Sequence, residues 1–172
     1  SKAVDEMLGL AYWHEKRLPV ISVRFFNVIG PRQSADYGMS VPRFVKQALQ
    51  GHPITVYGNG EQKRCFTDID DALDGLVAVA DHERSPGEIF NLGANPETNE
   101  ISIKDLAEKI KSLTESDSPI EFVPYDKAFA KGSYEDLNYR VPDLKKIKSF
   151  VGYEPKIGLD ATLRRIIEFY ES

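Results

Sequence analysis

A chain of 172 residues is long enough for one domain with a real core, and two would be cramped. Hydrophobic content of 41% and charged content of 28% are ordinary for a globular protein, and the net charge of −5 excludes a basic face for nucleic acid. The one cysteine, Cys65, excludes a disulfide framework and fits a cytoplasmic location, while no apolar run approaches the roughly 18 residues that span a bilayer.

Residues 2–17 are predicted to be helical. Ala3, Val4, Met7, Leu8, Leu10, Ala11, Tyr12 and Trp13 cover most of the circumference, so this helix is expected to be buried on more than one side. Leu18-Pro19 ends it. Residues 20–26 follow as a nearly continuous apolar strand, expected to be central, parallel and covered on both faces. Residues 27–37 read as loop. A short helix over 41–50 has Pro42 in its first turn and stops at Gly51. Residues 54–57 read as a strand, Gly58-Asn59-Gly60 as a plain turn, and 64–67 as a second extended piece. Asp68 is placed to cap a helix through Asp81, with Ile69, Ala72, Leu73, Leu76, Val77 and Ala80 on its inner face. Residues 88–92 form a strand, Ser102 caps a helix over 103–113, and 120–124 form a strand. Helices over 144–150 and 159–170 close the chain. Alternating strands and helices give an α/β class, the last part of a larger α/β fold.

His14, His52 and His82 are scattered without partners at ligand spacing, so no metal site is expected. No Gly-x-Gly-x-x-Gly follows a strand, so the chain carries no dinucleotide pyrophosphate loop. Two segments are more informative. In Arg24-Phe25-Phe26-Asn27, the polar Asn27 stands at the C-terminal end of a strand, where open α/β sheets bind ligands; equally, it could satisfy local backbone groups. At Lys63-Arg64 a turn becomes a strand, so the two side chains point to opposite faces. One of them must point inward, and an inward guanidinium requires an anion: a phosphate, or a carboxylate of Asp68, Asp70 or Asp71.

In this order the segments resemble the extended short-chain dehydrogenase/reductase family, the NAD-dependent nucleotide-sugar epimerases and dehydratases. The resemblance runs from Lys2 with Glu6, through Arg-Phe-Phe-Asn-x-x-Gly-Pro-Arg at 24–32 and Val41-Pro42-Arg43-Phe44, to Val56-Tyr57-Gly-x-Gly-x-Gln-x-Arg-x-Phe. It continues in Phe90-Asn91-Leu92-Gly93, Arg140-x-Pro142-Asp143 and Gly152-Tyr153-Glu154-Pro155. The run at 62–69 is most similar to the UDP-glucuronate decarboxylase branch, whereas 25–33 is similar to epimerases and dehydratases in general.

The resemblance implies roles at matching positions. Lys2 matches the catalytic lysine that bonds the nicotinamide ribose, and Phe26 stands on the cofactor side. Asn27 matches a substrate-contacting asparagine, Ser40 and Val41 touch the base, Tyr57 lines the base and ribose, and Arg64 meets the diphosphate. Asn91, Tyr134 and Arg140 belong to segments that help close the sugar-nucleotide pocket. The family's catalytic tyrosine would lie four residues before Lys2, and its serine or threonine and glycine-rich loop further upstream. The chain is therefore expected to be a C-terminal piece: residues 1–36 as remnant of a Rossmann domain that binds NAD, and 37–172 mainly as the nucleotide-sugar domain. Segments 65–81 and 88–93 are candidates to return to the Rossmann unit. The substrate implied is a nucleotide-sugar, a UDP-sugar before the others, and the partners are the N-terminal Rossmann portion and a second copy packed through the 2–17 helix. The implied activity is UDP-sugar 4-epimerisation, with decarboxylation, dTDP-glucose 4,6-dehydration or a non-catalytic nucleotide-sugar-binding module as alternatives; by itself the piece is expected to be inactive.

Overall fold

The computed structural model describes residues 2–35, 39–128 and 137–172. Helix α1 (Lys2–Lys16) leads into strand β1 (Ser22–Phe25) and a two-residue strand β2 (Val28–Ile29), followed by α2 (Ser40–Leu49) and β3 (Ile54–Tyr57). Then come β4 (Lys63–Cys65), β5 (Thr67–Asp68), α3 (Ile69–Asp81), β6 (Ile89–Leu92), α4 (Pro96–Asn99), β7 (Glu100–Ser102) and α5 (Ile103–Leu113). The chain closes with β8 (Ile120–Val123), α6 (Tyr125–Ala128), β9 (Tyr139–Arg140), α7 (Lys145–Val151) and α8 (Leu159–Glu171). The class is α/β. Three pairs run parallel, β1 with β6, β2 with β5 and β3 with β8; β4 lies between an antiparallel β7 and a parallel β9.

Two hydrophobic cores organise these elements. The larger is built from stripes at i, i+3, i+4 and i+7 spacing: Val41, Phe44, Val45 and Ala48 on α2, and Ile103, Leu106, Ala107 and Ile110 on α5. Leu159, Leu163, Ile166 and Ile167 on α8, with Ile54 and Val56 on β3, complete it. The second core gathers Ala72, Val79, Phe90, Leu92, Ile147 and Tyr153. Asp68 and Ser102 cap α3 and α5 as their positions predict, accepting from the backbone N–H of Asp70 and Asp105.

Four expectations need correction. Helix α1 has no buried residue in this chain, and Val4, Met7, Leu8 and Tyr12 are exposed; only the side bearing Gly9, whose missing Cβ lets Val20 approach, meets the sheet. Strand β1 is parallel but not covered on both faces. It pairs with β6 alone among the described strands, and Phe25 is 46% exposed. The segment predicted as loop after Phe26 contains β2, because Val28 and Ile29 find Thr67 and Asp68 across from them. The inner face of α3 is rotated: Asp71, Ala72, Gly75 and Val79 are buried, while Leu73, Val77 and Ala80 are exposed. Gly75 allows Tyr153 and Leu92 to press on the helix, and the Asp71 carboxylate takes the backbone N–H groups of Lys156 and Ile157 at 2.8–3.1 Å.

Candidate functional site

The strand alternation at 63–64 sets the first element of the site. Lys63 points out and pairs with Glu100 at 3.0 Å, whereas Arg64 points in and is 7% exposed. Arg64 Nη1 donates to the carbonyls of Lys63 at 2.8 Å and Leu137 at 2.7 Å. The nearby carboxylates are engaged elsewhere: Asp68 and Asp70 by Arg165, Asp71 by backbone amides. Strand β9 runs beside β4 so that Arg140 is the direct register partner of Arg64.

These residues border a cavity of about 330 Å³ lined by Asn27, Val28, Ile29, Gln33, Met39, Ser40, Val41, Arg43, Tyr57, Gln62, Arg64, Phe66, Ile103, Tyr125 and Arg140. The structure thus brings together six predicted residues: Asn27, Ser40, Val41, Tyr57, Arg64 and Arg140. Asn27 has a φ of +40°, the left-handed region that asparagine tolerates best after glycine. Its Nδ2 donates to the Cys65 carbonyl at 3.1 Å, so it both ties β1 to the β4–β5 segment and lines the cavity. Ser40 and Val41 open α2 at the cavity wall. Gly58 and Gly60 take φ of +69° and +74°, forming the turn that carries the chain from Tyr57 to Gln62.

Three further wall residues were not singled out as site residues from sequence. Arg43 stacks on Tyr57, its Cζ 4.0 Å from the ring centroid, and Nη2 donates to the Thr55 carbonyl at 3.0 Å. Burial pushes its guanidinium below the usual arginine range, with Tyr57 pulling the other way. Gln62 Nε2 donates to the Tyr57 carbonyl at 3.3 Å and to the Tyr125 hydroxyl at 3.0 Å. Arg43, Arg64 and Arg140 thus gather at one cavity, and paired guanidinium donors suit an anionic group.

A second cavity, about 720 Å³, adjoins through Arg140 and is lined by Lys2, Asp5, Glu6, Ser22, Val23, Arg24, Phe25 and Phe26. Lys2 stands in solvent with Asp5 3.9 Å away. Arg24 grips Glu6 with Nε and Nη2 at 2.7 and 2.6 Å, holding the Glu6 carboxyl below its usual range. Asn91 stands apart from both cavities, its Nδ2 donating to the Asp143 carbonyl at 3.2 Å. Tyr134 lies outside the described residues. Cys65 is buried and its thiol is pushed up to about 12, chiefly by desolvation. Among the described residues, no group of three His, Cys, Asp or Glu could hold a metal ion, and no helix is long and apolar enough to cross a membrane.

A model of the NAD dependent epimerase/dehydratase family matches residues 1–93. The chain belongs to that family. It is 38% identical over 170 residues to UDP-N-acetyl-alpha-D-glucosaminuronate decarboxylase of Bacillus cytotoxicus, spanning 98% of this chain and 51% of that protein. It is 35% identical over 172 residues to UDP-glucuronic acid decarboxylase 1 of Arabidopsis thaliana, spanning all of this chain and 37% of that protein. Its structure superposes on UDP-glucuronic acid 4-epimerase from Bacillus cereus, solved in complex with UDP-glucuronic acid and NAD. The TM-score is 0.84 at 27% identity, covering 96% of this chain and 49% of the epimerase. Members of this family depend on NAD, and the chain spans about half or less of these relatives.

Proposed function

We propose that this chain is the C-terminal, substrate-binding portion of an NAD-dependent enzyme that converts a UDP-sugar, in type a 4-epimerase passing through a keto-sugar. The gathering of Asn27, Ser40, Val41, Tyr57, Arg64 and Arg140 at one cavity carries the reading. Arg64 and Arg140, register partners on neighbouring strands, supply paired guanidinium donors of the kind a diphosphate takes. In this assignment Arg64 and Arg140 take the diphosphate, Tyr57 with Ser40 and Val41 lines the base and ribose, and Asn27 faces the sugar. Asn91 and Tyr134 belong to the segments that close the pocket.

The second cavity supports the cofactor side of the reading. Lys2 offers an unburied ammonium and Phe26 an aromatic edge along one wall, which fits one side of a nicotinamide ribose. The chemistry that NAD would supply there is reversible hydride transfer with a sugar carbon. Lys2 holds the ribose, and Arg140, common to both cavities, orients the diphosphate toward that side. We assign residues 1–36, with 65–81 and 88–93, to the NAD-binding unit and most of 37–172 to the substrate unit. The exposed Val4, Met7, Leu8 and Tyr12 on α1 are assigned to contact with a second copy.

Titration calorimetry with UDP-glucuronic acid tests the binding site. Wild type is expected to bind, and Arg64→Gln and Arg140→Gln each to weaken binding at least about tenfold. Unchanged affinity in both variants, with folding retained, would overturn the assignment. Decarboxylation is the second reading, favoured by the two decarboxylase relatives. Carbon dioxide release from UDP-glucuronic acid by the full-length enzyme separates it from 4-epimerisation. Binding without any turnover in the full-length protein would instead identify a nucleotide-sugar-binding module.

A further inference from the structure

Two segments, 27–33 and 39–43, supply much of the first cavity's wall. Pairing with β5 holds Val28 and Ile29, and helical bonds hold α2, but the turn over 30–33 belongs to neither element. It folds on itself through the Gln33 backbone N–H, which donates to the Gly30 carbonyl at 3.4 Å, and through Gln33 Nε2, which donates to the Val28 carbonyl at 3.2 Å. Gly30 seats against Ile69 of α3, which a Cβ there would meet at 2.6 Å. Arg32, in the same turn, has a φ of +68°. A residue with a side chain keeps that left-handed conformation only where surrounding contacts enforce it.

One such contact comes from α8, 137 residues away in sequence. The Tyr170 hydroxyl donates to the Gln33 carbonyl at 2.6 Å. The Tyr170 ring packs against the larger core and lies 5.3 Å from the Lys46 ammonium of α2. Tyr170 does not line the cavity, yet it touches both the turn and the helix that do. A side chain anchored in a core and bonded to a strained turn sets the distance between that turn and α2. Without the hydroxyl, the turn keeps its internal bonds and the Ile69 contact, and loses this tie to the body of the fold.

We infer that Tyr170 is a positioning residue for the cavity, its hydroxyl pinning the 30–33 turn against α2 so that binding in the cavity and order in the last turn of α8 are coupled. This rests on the reading of the cavity as a nucleotide-sugar site and adds a residue that acts on it through the Gln33 backbone. The coupling is reciprocal: what the last turn of α8 lends to binding, a bound ligand returns as order in that turn.

The test combines calorimetry with UDP-glucuronic acid, thermal melting and amide hydrogen exchange on wild type and Tyr170→Phe. Phenylalanine keeps the ring beside Lys46 and removes the hydroxyl alone. It is expected to weaken binding about fivefold and to lower the melting temperature by no more than about 4 °C. A tyrosine with a merely structural role would lower the melting temperature and leave the affinity unchanged. In wild type, saturating UDP-glucuronic acid is expected to slow amide exchange over 167–171. Unchanged affinity in folded Tyr170→Phe, or unchanged exchange over 167–171 on adding ligand, would overturn the inference while leaving the nucleotide reading intact. No binding by folded wild type would overturn both. The exchange measurement requires no variant, so the outcome does not depend on the substitution folding.

Discussion

Asp68 joins the two cores, and its removal can be costed contact by contact. It is fully buried, and Oδ1 accepts from the Asp70 backbone N–H at 2.9 Å to cap α3. Oδ2 accepts from the Thr162 hydroxyl at 2.7 Å, and Arg165 Nη1 reaches both oxygens at 3.2 Å. In Asp68→Ala the lost cap costs about 1 kcal/mol. The Thr162 hydroxyl keeps only a long contact of 3.4 Å to Gly158, and stranding it costs roughly 1–2 kcal/mol. Arg165 is 39% exposed and keeps Asp70 at 2.6 Å, so its share is discounted to about 0–1 kcal/mol. The expected loss is about 2–4 kcal/mol, a fall in melting temperature of roughly 5–12 °C by circular dichroism. Asp68→Asn keeps a good capping oxygen and a polar partner for Thr162, so it should lose only about 1 kcal/mol. Either an alanine variant within about 0.5 kcal/mol of wild type, or an asparagine variant as damaged as the alanine one, would refute this reasoning.

Three other outcomes follow from the same geometry. Cys65 should resist iodoacetamide at pH 8 in the native protein and react after denaturation, because burial holds its thiol up at about 12; rapid native labelling would contradict this. Lys63 and the Tyr139 hydroxyl lower the Glu100 carboxyl below its usual range, so its contribution to stability is present above the unfolded carboxyl range and lost as pH falls through the depressed value. The urea midpoint of wild type should accordingly exceed that of Glu100→Gln at pH 7 and converge with it near pH 3; equal gaps at both pH values would count against the cluster. Gly87 has a φ of +86° and its open α-carbon faces the Trp13 indole, so Gly87→Ala should displace the single tryptophan and shift its fluorescence, with about 1–3 kcal/mol of stability lost. An unchanged emission spectrum would show that α1 does not dock there.

What was legible in the sequence followed local rules. Ser102 and Asp68 announced their helices because a capping side chain needs only the next two or three backbone N–H groups. The helices read over 41–50, 103–113 and 159–170 match α2, α5 and α8 to within a residue or so. Alternation required that one of Lys63 and Arg64 turn inward, and the ordered motifs pointed to the family. Arg43 and Gln62 escaped because nothing local distinguishes a polar side chain on a cavity wall from one in solvent.

By itself, then, the sequence determined where most helices start and stop, that one of two adjacent cations turns inward, and which family the chain belongs to. Tertiary structure alone decided the partners: β2 with β5, Val28 opposite Thr67 and Ile29 opposite Asp68, Gly75 beneath Tyr153, and Arg140 beside Arg64. It also turned α3 away from the face its apolar residues suggested, since a carboxylate with three amide contacts and a glycine under an aromatic ring outweighed Leu73 and Val77. The physical reason is range. Caps and periodicity act within a turn or two of the chain, whereas a binding cavity is made by strands whose residues meet only after the cores have formed.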